Sequence, residues 1–391
     1  MLSPESRSII DATLPAVEAH ANDITDVFYP LMFERYPEVR AYFNQTHQAE
    51  GTQRRALANA VVAYARNLDR LEALGDAVSL IVNKHVSLNI QPEHYPIVGE
   101  CLLAAVKQVL GDAATEEVLA AWGEAYQQLA DILISAEEGR YQENEAKQGG
   151  WRGERTFVLA RKIAESEEIV SFYFEPEDGG PVADFQPGQY IGLVLDIDGQ
   201  QVRRNYSLSN RPGRPYYRIS VKREPDGVAS NFLHDRLNEG DRVQMTAPAG
   251  DFVLKDSERP LVLLSGGVGI TPTLAMLEPA LEGGREVHFL HGARNSKVQA
   301  FRDRLAELEK AHENLRVTVC YSDPLPDDAG QTTGFFDRDR LASLLPEDRN
   351  VDVYFLGPKP FMQACFQNLN ELAIPPRQIH YEFFGPLQSL N

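Results

Sequence analysis

The stretch LVLLSGGVGITP, residues 261–272, contains an apolar strand, a glycine-rich turn and the start of a helix. Glycines let a backbone approach a pyrophosphate closely, and the free N–H groups and dipole of a helix N-terminus attract it. Thr271 and Pro272 fit an N-cap followed by the first helical residue. The stretch predicts a phosphate cradle, with an ordinary glycine-rich turn as the alternative, because the Lys-Ser/Thr of a P-loop and the full G-x-G-x-x-G spacing are missing. The candidate cofactor-binding residues here are Gly267, Val268, Gly269, Ile270, Thr271 and Pro272.

The residues around this cradle predict two β-containing domains. From Pro260 onward, strand-like segments such as Val287–Leu290 and Val351–Leu356 alternate with helical stretches, which is typical of an α/β domain with a parallel sheet. Between Arg155 and Ala247, short β-branched and aromatic runs alternate with Gly/Pro turns, which predicts an antiparallel β-barrel. One helix near Val228–Leu237 interrupts the barrel pattern.

The first part of the chain is predicted to be all-α. Glycine and proline are sparse there, and Val98, Leu102, Ala105 and Val109 recur at helical spacing. A polar segment ending in Gly149-Gly150 indicates a linker between this part and the barrel. The expected units are therefore a helical domain at 1–138, a linker at 139–151, a barrel domain at 152–256 and an α/β domain at 257–391.

Composition narrows the class of function. In 391 residues, 38 Lys and Arg stand against 57 Asp and Glu, a net charge of −19, which argues against nucleic acid or anionic lipid as a partner. Three distant cysteines exclude a disulfide framework and Cys-rich zinc or iron–sulfur sites. No apolar run approaches the ~18 residues that a membrane span needs. We expect a cytoplasmic protein with no stable membrane association, acting on small ligands.

Motifs upstream of the cradle resemble the ferredoxin-reductase-like flavin fold. The segment RNYS, 204–207, follows PGQY, 187–190, and GVAS, 227–230, opens the barrel helix. Arginine suits bidentate phosphate contacts and tyrosine offers a flat stacking face. The alternative is that both are ordinary strand residues that face outward. The resemblance implies an FAD cofactor, with the arginine on its pyrophosphate and the tyrosine against its ring. The implied binding residues are Tyr190, Arg204, Asn205, Tyr206, Ser207, Gly227 and Ser230.

The C-terminal residues extend this resemblance, which implies that an aromatic residue near the end shields the flavin. Phe384 is our candidate, and Phe383, Gly385 and Pro386 are the neighbouring candidate binding residues. Leu356 departs from the family, whose members commonly carry cysteine there, and we expect altered nicotinamide positioning rather than lost activity. The loop GARNSK, 292–297, has two bases and no acid, so NADPH is compatible with it while NADH is the family expectation.

The helical part resembles a globin, in the form found in flavohaemoglobins. His85 shares an apolar helix face with Ile81 and Leu88, and such a histidine is by itself more often a core residue than an iron ligand. The resemblance extends over the whole chain. Aromatic residues of an early helix come first, then the distal polar residues and His85, and both β-containing domains follow. The resemblance implies haem b bound through His85 as the proximal iron ligand. Phe43 and Leu57 are then pocket residues, Tyr29, Gln53, Tyr95 and Glu137 catalytic residues, and Lys84 and Glu382 a pair that tunes redox chemistry.

The three-domain order indicates the direction of electron flow. A hydride carries two electrons and haem iron accepts one, so FAD divides the pair between NADH or NADPH and haem. The resemblance implies a nitric oxide dioxygenase whose substrates are O2 and nitric oxide and whose product is nitrate. We also expect the protein to be monomeric. The alternatives are an O2- or nitric-oxide-binding sensor or store with a maintenance reductase, and a flavin reductase whose helical domain is empty.

Overall fold

The protein is described by a computed structural model over residues 2–43, 60–68 and 75–384. Its first part is helical, as predicted. Ser3 caps the first helix, where its hydroxyl accepts the Ser6 N–H at 3.1 Å, and Pro4 occupies the first helical position. The helices are α1 Pro4–Ala19, α2 Ala21–Arg35, α3 Gly75–Ser87, α4 His94–Leu110 and α5 Glu116–Ala146, with residues 60–66 also helical and short 3-10 helices at Pro37–Tyr42 and Gly111–Ala113.

Two apolar clusters form the core of the helical part. One surrounds Phe28 and Trp122, and the other joins Val86 of α3 to Leu133 of α5. Tyr126 and Leu129 contact both clusters. The helix that carries His85 is therefore held against α5 by buried apolar surface.

The segment after this domain differs from its predicted form. The polar residues from 139 onward suggest a linker, but α5 continues to Ala146. Tyr141 and Asn144 are buried, and the Tyr141 hydroxyl donates to the Ile90 carbonyl at 2.7 Å, so tertiary contacts extend the helix that composition alone would end. Trp151, at the other end, lies in the barrel core.

The second part is an antiparallel sheet of six strands in the order β4-β3-β6-β1-β2-β5. The edge strands β4 and β5 meet at a bridge between Leu208 and Ile219, which brings the sheet into a partly closed barrel. Phe157, Phe172 and Leu193 lie in its core. The elements are β1 Glu154–Ala164, β2 Ile169–Pro176, β3 Tyr190–Ile197, β4 Gln200–Ser207, β5 Tyr217–Lys222, α6 Val228–Asp235 and β6 Arg242–Thr246.

The third part is a parallel sheet in the order β10-β9-β8-β7-β11-β12. After β7 the chain adds strands on one side and then crosses to β11 on the other, so the carboxyl ends of β7 and β11 form the crevice where such sheets bind ligands. The elements are β7 Leu261–Gly266, α7 Ile270–Glu282, β8 Val287–Ala293, α8 Arg302–Ala311, β9 Leu315–Tyr321, β10 Thr332–Thr333, α9 Arg338–Leu344, β11 Asp352–Leu356, α10 Lys359–Glu371 and β12 Ile379–Tyr381. The predicted fold of three successive domains is confirmed.

Candidate functional site

His85 is held by two side chains from other helices. Its Nδ1 lies 2.7 Å from Glu137 Oε1 and 3.1 Å from the Tyr95 hydroxyl. Tyr95 donates to the same Glu137 oxygen at 2.5 Å, and Glu137 is only 2% exposed. Burial and the Glu137 carboxylate raise the pKa of Tyr95 far above its usual range, so its hydroxyl remains a donor. With Nδ1–H donating to Glu137, the lone pair of Nε2 is left for a metal.

The donor set around His85 fits a metal that arrives with its own ligands. Within the described ranges, no group of three or more His, Cys, Asp or Glu side chains could hold a bare ion. A single imidazole with an oriented ring suits an iron porphyrin, because the macrocycle would itself supply four ligands to the iron. Its partly exposed side chain, at 31%, leaves ring surface accessible at this position. His85 is therefore the residue that would hold haem iron.

An aromatic cluster from α2 and the residues that follow it contains two of the predicted pocket residues, Tyr29 and Phe43. The Tyr29 ring lies 5.7 Å from the Phe43 ring and 4.8 Å from Phe28, both edge to face. Tyr29 is buried at 3% exposure. The structure thus brings Tyr29 and Phe43 together, as the predicted pocket requires. Gln53 and Leu57 lie outside the described residues.

The RNYS strand and Tyr190 form a candidate flavin crevice. Tyr190 pairs with Ser207 across β3 and β4, which places these ends of the two strands side by side. Burial lowers the pKa of Arg204, and within the described part of the chain no carboxylate pairs with it. A half-buried guanidinium without a counter-charge is costly, so the residue fits an anionic group such as a pyrophosphate. Burial also raises the pKa of Tyr206 to about 12, which keeps that ring neutral for stacking.

The start of α6 is organised by Ser230. Its hydroxyl donates to the Gly227 carbonyl and accepts the Glu224 N–H, both at 3.2 Å. A Cβ on Gly227 would lie 2.4 Å from that hydroxyl, so glycine is needed for this turn. The two residues therefore shape the predicted phosphate-binding turn, while the Ser230 hydroxyl is already engaged with the protein.

The glycine cradle lies at the crevice between β7 and β11. Gly267 has a φ of +53°, and a Cβ on Gly269 would lie 2.1 Å from the Leu356 carbonyl oxygen. The backbone is thus as close to β11 as it can be, which suits a pyrophosphate laid over it. Leu356 is fully buried in the core.

The predicted helix cap in the cradle is wrong. The helix begins at Ile270 with Gly269 as its N-cap, because the single turn Gly267–Gly269 leads directly into it. The Thr271 hydroxyl donates to the Val268 carbonyl at 3.0 Å instead of accepting from the helix. Thr271 and Pro272 are both buried, so their contribution is to the packing of the turn.

Lys84 lies where the three domains meet. Its Nζ is 4.5 Å from the centre of the Tyr190 ring, a cation–π contact across two domains. Burial lowers the pKa of Lys84, and the Glu382 carboxylate opposes that change; burial raises the pKa of Glu382, opposed by Lys84. Lys84 and Glu382, the predicted pair, therefore interact electrostatically beside the candidate flavin crevice.

The C-terminal aromatics separate into a packed and an exposed ring. Phe383 packs against the core of the third domain and lies edge to face with Tyr381 at 5.9 Å. Phe384 is 47% exposed, which leaves its ring surface available for a planar ligand. Gly385 and Pro386 lie outside the described residues.

The two bases of the loop after β8 are already paired. Arg294 forms an ion pair with Glu168, and Lys297 lies 3.8 Å from Glu167. Both acids belong to the turn between β1 and β2, which sequence reasoning did not connect to this loop. The arrangement reduces the positive charge that the loop would offer to a 2′-phosphate.

Sequence reasoning also missed the residues that seat α3 on the barrel. Asp251 accepts hydrogen bonds from Ser79 at 2.6 Å and from Asn83 at 2.7 Å, and Gly250 N–H donates to Asn83 Oδ1 at 3.2 Å. These partners are about 170 positions apart in the chain. No local pattern marks them, because each is an ordinary polar residue until the domains pack.

Comparisons with known proteins give the same three domains. Residues 15–133 match the globin family, residues 156–254 the oxidoreductase FAD-binding domain, and residues 263–367 the oxidoreductase NAD-binding domain. No described helix has the length and apolar character needed to cross a membrane.

Full-length relatives share this organisation. The chain is 56% identical to a flavohemoprotein from Burkholderia sp. strain TH2 and 55% identical to one from Pseudomonas aeruginosa, each alignment covering 100% of both chains. The crystal structure of flavohemoglobin from Malassezia yamatoensis with bound FAD and heme superposes with a TM-score of 0.86 at 31% identity, covering 98% of this chain and 100% of that one. The FAD/NAD-binding domain of a nitric oxide dioxygenase from Vibrio cholerae is 39% identical with a TM-score of 0.55, covering 59% of this chain and 99% of its own. The chain belongs to the flavohemoprotein family.

Proposed function

We propose that the protein is a nitric oxide dioxygenase that uses haem, FAD and NADH or NADPH. One reduced nicotinamide, two O2 and two nitric oxide molecules give two nitrate ions, the oxidised nicotinamide and one proton. When bound, FAD accepts a hydride and passes on single electrons, and haem iron binds O2 for the attack of nitric oxide. The names of the relatives, and above all that of the Vibrio cholerae domain, support this activity for the chain.

The observation that carries the proposal is the position of His85 beside the flavin crevice. Its neighbour Lys84 contacts the Tyr190 ring, so the residue that would hold iron follows directly on one that touches the second domain. Glu382, near the C-terminus, acts on the same lysine. These contacts support haem, flavin and nicotinamide sites that lie close together in a single chain, as an electron-transfer enzyme requires.

The protein's side chains have separate tasks in this scheme. Glu137 and Tyr95 fix the orientation of the His85 ring and increase its electron donation. Tyr29 lies among aromatic rings, where its hydroxyl is suited to donate to a bound dioxygen. Arg204 and Tyr206 are suited to hold the flavin phosphates and ring, and Gly267 and Gly269 the nicotinamide pyrophosphate. Gln53, Leu57 and Phe384 complete the proposed sites.

Nitric oxide consumption tests the proposal directly. Purified holoprotein supplied with NADH and O2 should remove nitric oxide and form nitrate in equal amounts, as followed by a nitric oxide electrode and ion chromatography. His85→Ala should lose haem incorporation and this activity, while its flavin should still be reduced by NADH. Stable O2 binding with negligible nitrate formation in the wild type would favour a sensor or store, and a flavin spectrum without a Soret band would favour a simple flavin reductase.

We also propose a cytoplasmic location and a monomeric state. All three cysteines are buried and free, which suits a reducing compartment. Size-exclusion chromatography with light scattering checks the oligomeric state, and fractionation of cells checks the location.

A further inference from the structure

The end of α3 is embedded in the FAD-binding barrel. Ser87, the last helical residue, is 1% exposed. Its carbonyl accepts a hydrogen bond from Thr246 Oγ1 at 2.8 Å, and its hydroxyl accepts one from Asn205 Nδ2 at 2.8 Å. The next carbonyl, that of Leu88, accepts from Arg203 Nη1 at 3.3 Å. We call Ser87 and its barrel contacts the α3 joint.

The α3 joint adds donors from the barrel to the local cap of the helix. The last carbonyls of a helix have no partner within the helix and must find donors elsewhere. In α3 the carbonyls of His85 and Val86 accept from N–H groups that follow the helix. The carbonyls of Ser87 and Leu88 take their donors from the second domain, and the charge of Arg203 suits the negative end of the helix dipole. The barrel therefore supplies the donor for the last carbonyl of the helix that carries His85.

Gly192 makes this close approach possible. It pairs with Asn205 across β3 and β4. A Cβ at this position would lie 2.2 Å from the Ser87 carbonyl oxygen and 2.4 Å from Thr246 Oγ1. Its φ is not positive, so proximity to the helix, and not backbone conformation, requires glycine here.

Side chains of strand β4 face α3 on one side of the sheet and the proposed flavin site on the other. Successive side chains of a strand point to opposite faces. Arg203 and Asn205 contact α3, so Arg204 and Tyr206 lie on the other face, where we propose the flavin. Asn205 uses its amide nitrogen on Ser87, and its Oδ1 is buried without a hydrogen bond to any described residue.

We infer that the α3 joint sets the separation of His85 from the flavin crevice and thereby the rate at which electrons pass between the two cofactors. Asn205 is then a positioning residue on the helix side of the strand and not a flavin ligand. The inference rests on the proposed function only in that both cofactors are bound. Electron transfer rates fall steeply with distance, so a small displacement of α3 should be measurable.

Gly192→Ala is the sharpest test, because its added methyl group must push α3 away from the barrel. In anaerobic rapid mixing of holoprotein with NADH under carbon monoxide, flavin reduction should keep the wild-type rate, while haem reduction should slow about tenfold or more. Hydrogen exchange of the peptide spanning residues 84–92 should rise, a readout independent of turnover. Gly139→Ala, where a Cβ meets nothing within 4 Å, is the matched control and should match the wild type in all three measurements.

A second pair of variants covers the case in which Gly192→Ala does not fold. Thr246→Val removes the donor to the Ser87 carbonyl while keeping the shape, and should slow haem reduction by about threefold to tenfold. Thr246→Ser keeps the hydroxyl and should restore the rate. Wild-type haem reduction in both Gly192→Ala and Thr246→Val, or flavin reduction that slows in step with it, would overturn the inference. The haem-reduction assay contains no nitric oxide, so its result does not depend on the proposed activity. If the wild type reduces its haem in this assay but forms no nitrate in the nitric oxide assay, only the proposed function is refuted.

Discussion

The glycine cradle proposed for the nicotinamide cofactor and the His85 site are built by different means. The cradle is a contiguous backbone turn, Gly267–Gly269, pressed so closely on Leu356 that a side chain has no room. The His85 site consists of side chains from three helices, and its central contact joins residues 52 positions apart. The comparison teaches that a backbone site is recognisable in adjacent residues, whereas a side-chain site exists only once the helices have packed.

The largest effect is expected from a substitution that disrupts the glycine cradle and leaves the His85 site intact. Gly269→Ala should lower the rate of flavin reduction by NADH about 100-fold, because the Leu356 carbonyl, 2.1 Å from the new Cβ, belongs to a buried strand that cannot yield. The Soret band of the helical domain should be unchanged. Rapid-mixing spectroscopy measures both. Gly283→Ala, whose Cβ would meet its nearest atom at an ordinary 3.4 Å, is the control, and a Soret band that is lost together with flavin reduction would contradict the separation of the sites.

The sequence was informative where the site is local. Residues 261–272 already indicate strand, turn and helix, and the strands on either side follow from β-branched runs. The helix cap was misplaced because Thr271 and Pro272 follow a glycine turn that itself starts the helix. The helix α5 reaches into the predicted linker because Tyr141 is buried, which composition does not reveal.

A buried histidine behind the cradle should make its sheet sensitive to acid. His291 is 1% exposed, its Nδ1 lies 2.8 Å from the Ser265 hydroxyl, and burial lowers its pKa to about 4. The unfolded chain binds a proton near pH 6.5 and the folded one does not, so stability is present above that pH and is lost as the pH falls from 6.5 towards 4. The loss should amount to about 2 kcal/mol between pH 7 and pH 5.

Comparison with His291→Asn isolates that contribution. Denaturation of both proteins at pH 7 and pH 5, followed through the third domain, should show a smaller acid loss in the variant. An equal loss in both would mean that His291 does not titrate on unfolding.

A substitution in the His85 site should reduce activity only in part. Glu137→Gln keeps the shape but removes the charge that holds His85 Nδ1–H, and should lower nitric oxide turnover about tenfold. The iron–histidine stretching frequency, measured by resonance Raman spectroscopy of the ferrous protein, should fall. Glu138→Gln is the control, because Glu138 pairs with Arg152 at the surface. A wild-type frequency in Glu137→Gln would show that the carboxylate does not act on the ring.

The contacts around His85 could not be obtained from the residues alone. His85 lies on an apolar helix face like many core histidines, and Glu137 stands next to the similar Glu138. Only the resemblance to flavohaemoglobins selected them, and the helix packing then places Glu137 on the ring while Glu138 faces Arg152. In the same way, Glu168 is 126 positions from Arg294, so no local pattern could show that pair.

The smallest expected effect concerns the surface at the edge of the proposed nicotinamide site. Glu168→Gln should free Arg294 for a 2′-phosphate and raise the ratio of NADPH to NADH use about threefold, more at low salt. The measurement is kcat/KM for both nucleotides. Glu167→Gln, which removes the longer pair with Lys297, should change the ratio less. An unchanged ratio in Glu168→Gln would place the ribose elsewhere.

The most direct test of electron flow through the chain is anaerobic mixing of oxidised holoprotein with NADH under carbon monoxide, followed at flavin and Soret wavelengths. We predict that the flavin bleaches first and that the ferrous carbon monoxide band then appears at a rate independent of protein concentration. Haem that stays ferric, or a rate that increases with protein concentration, would contradict transfer within one chain.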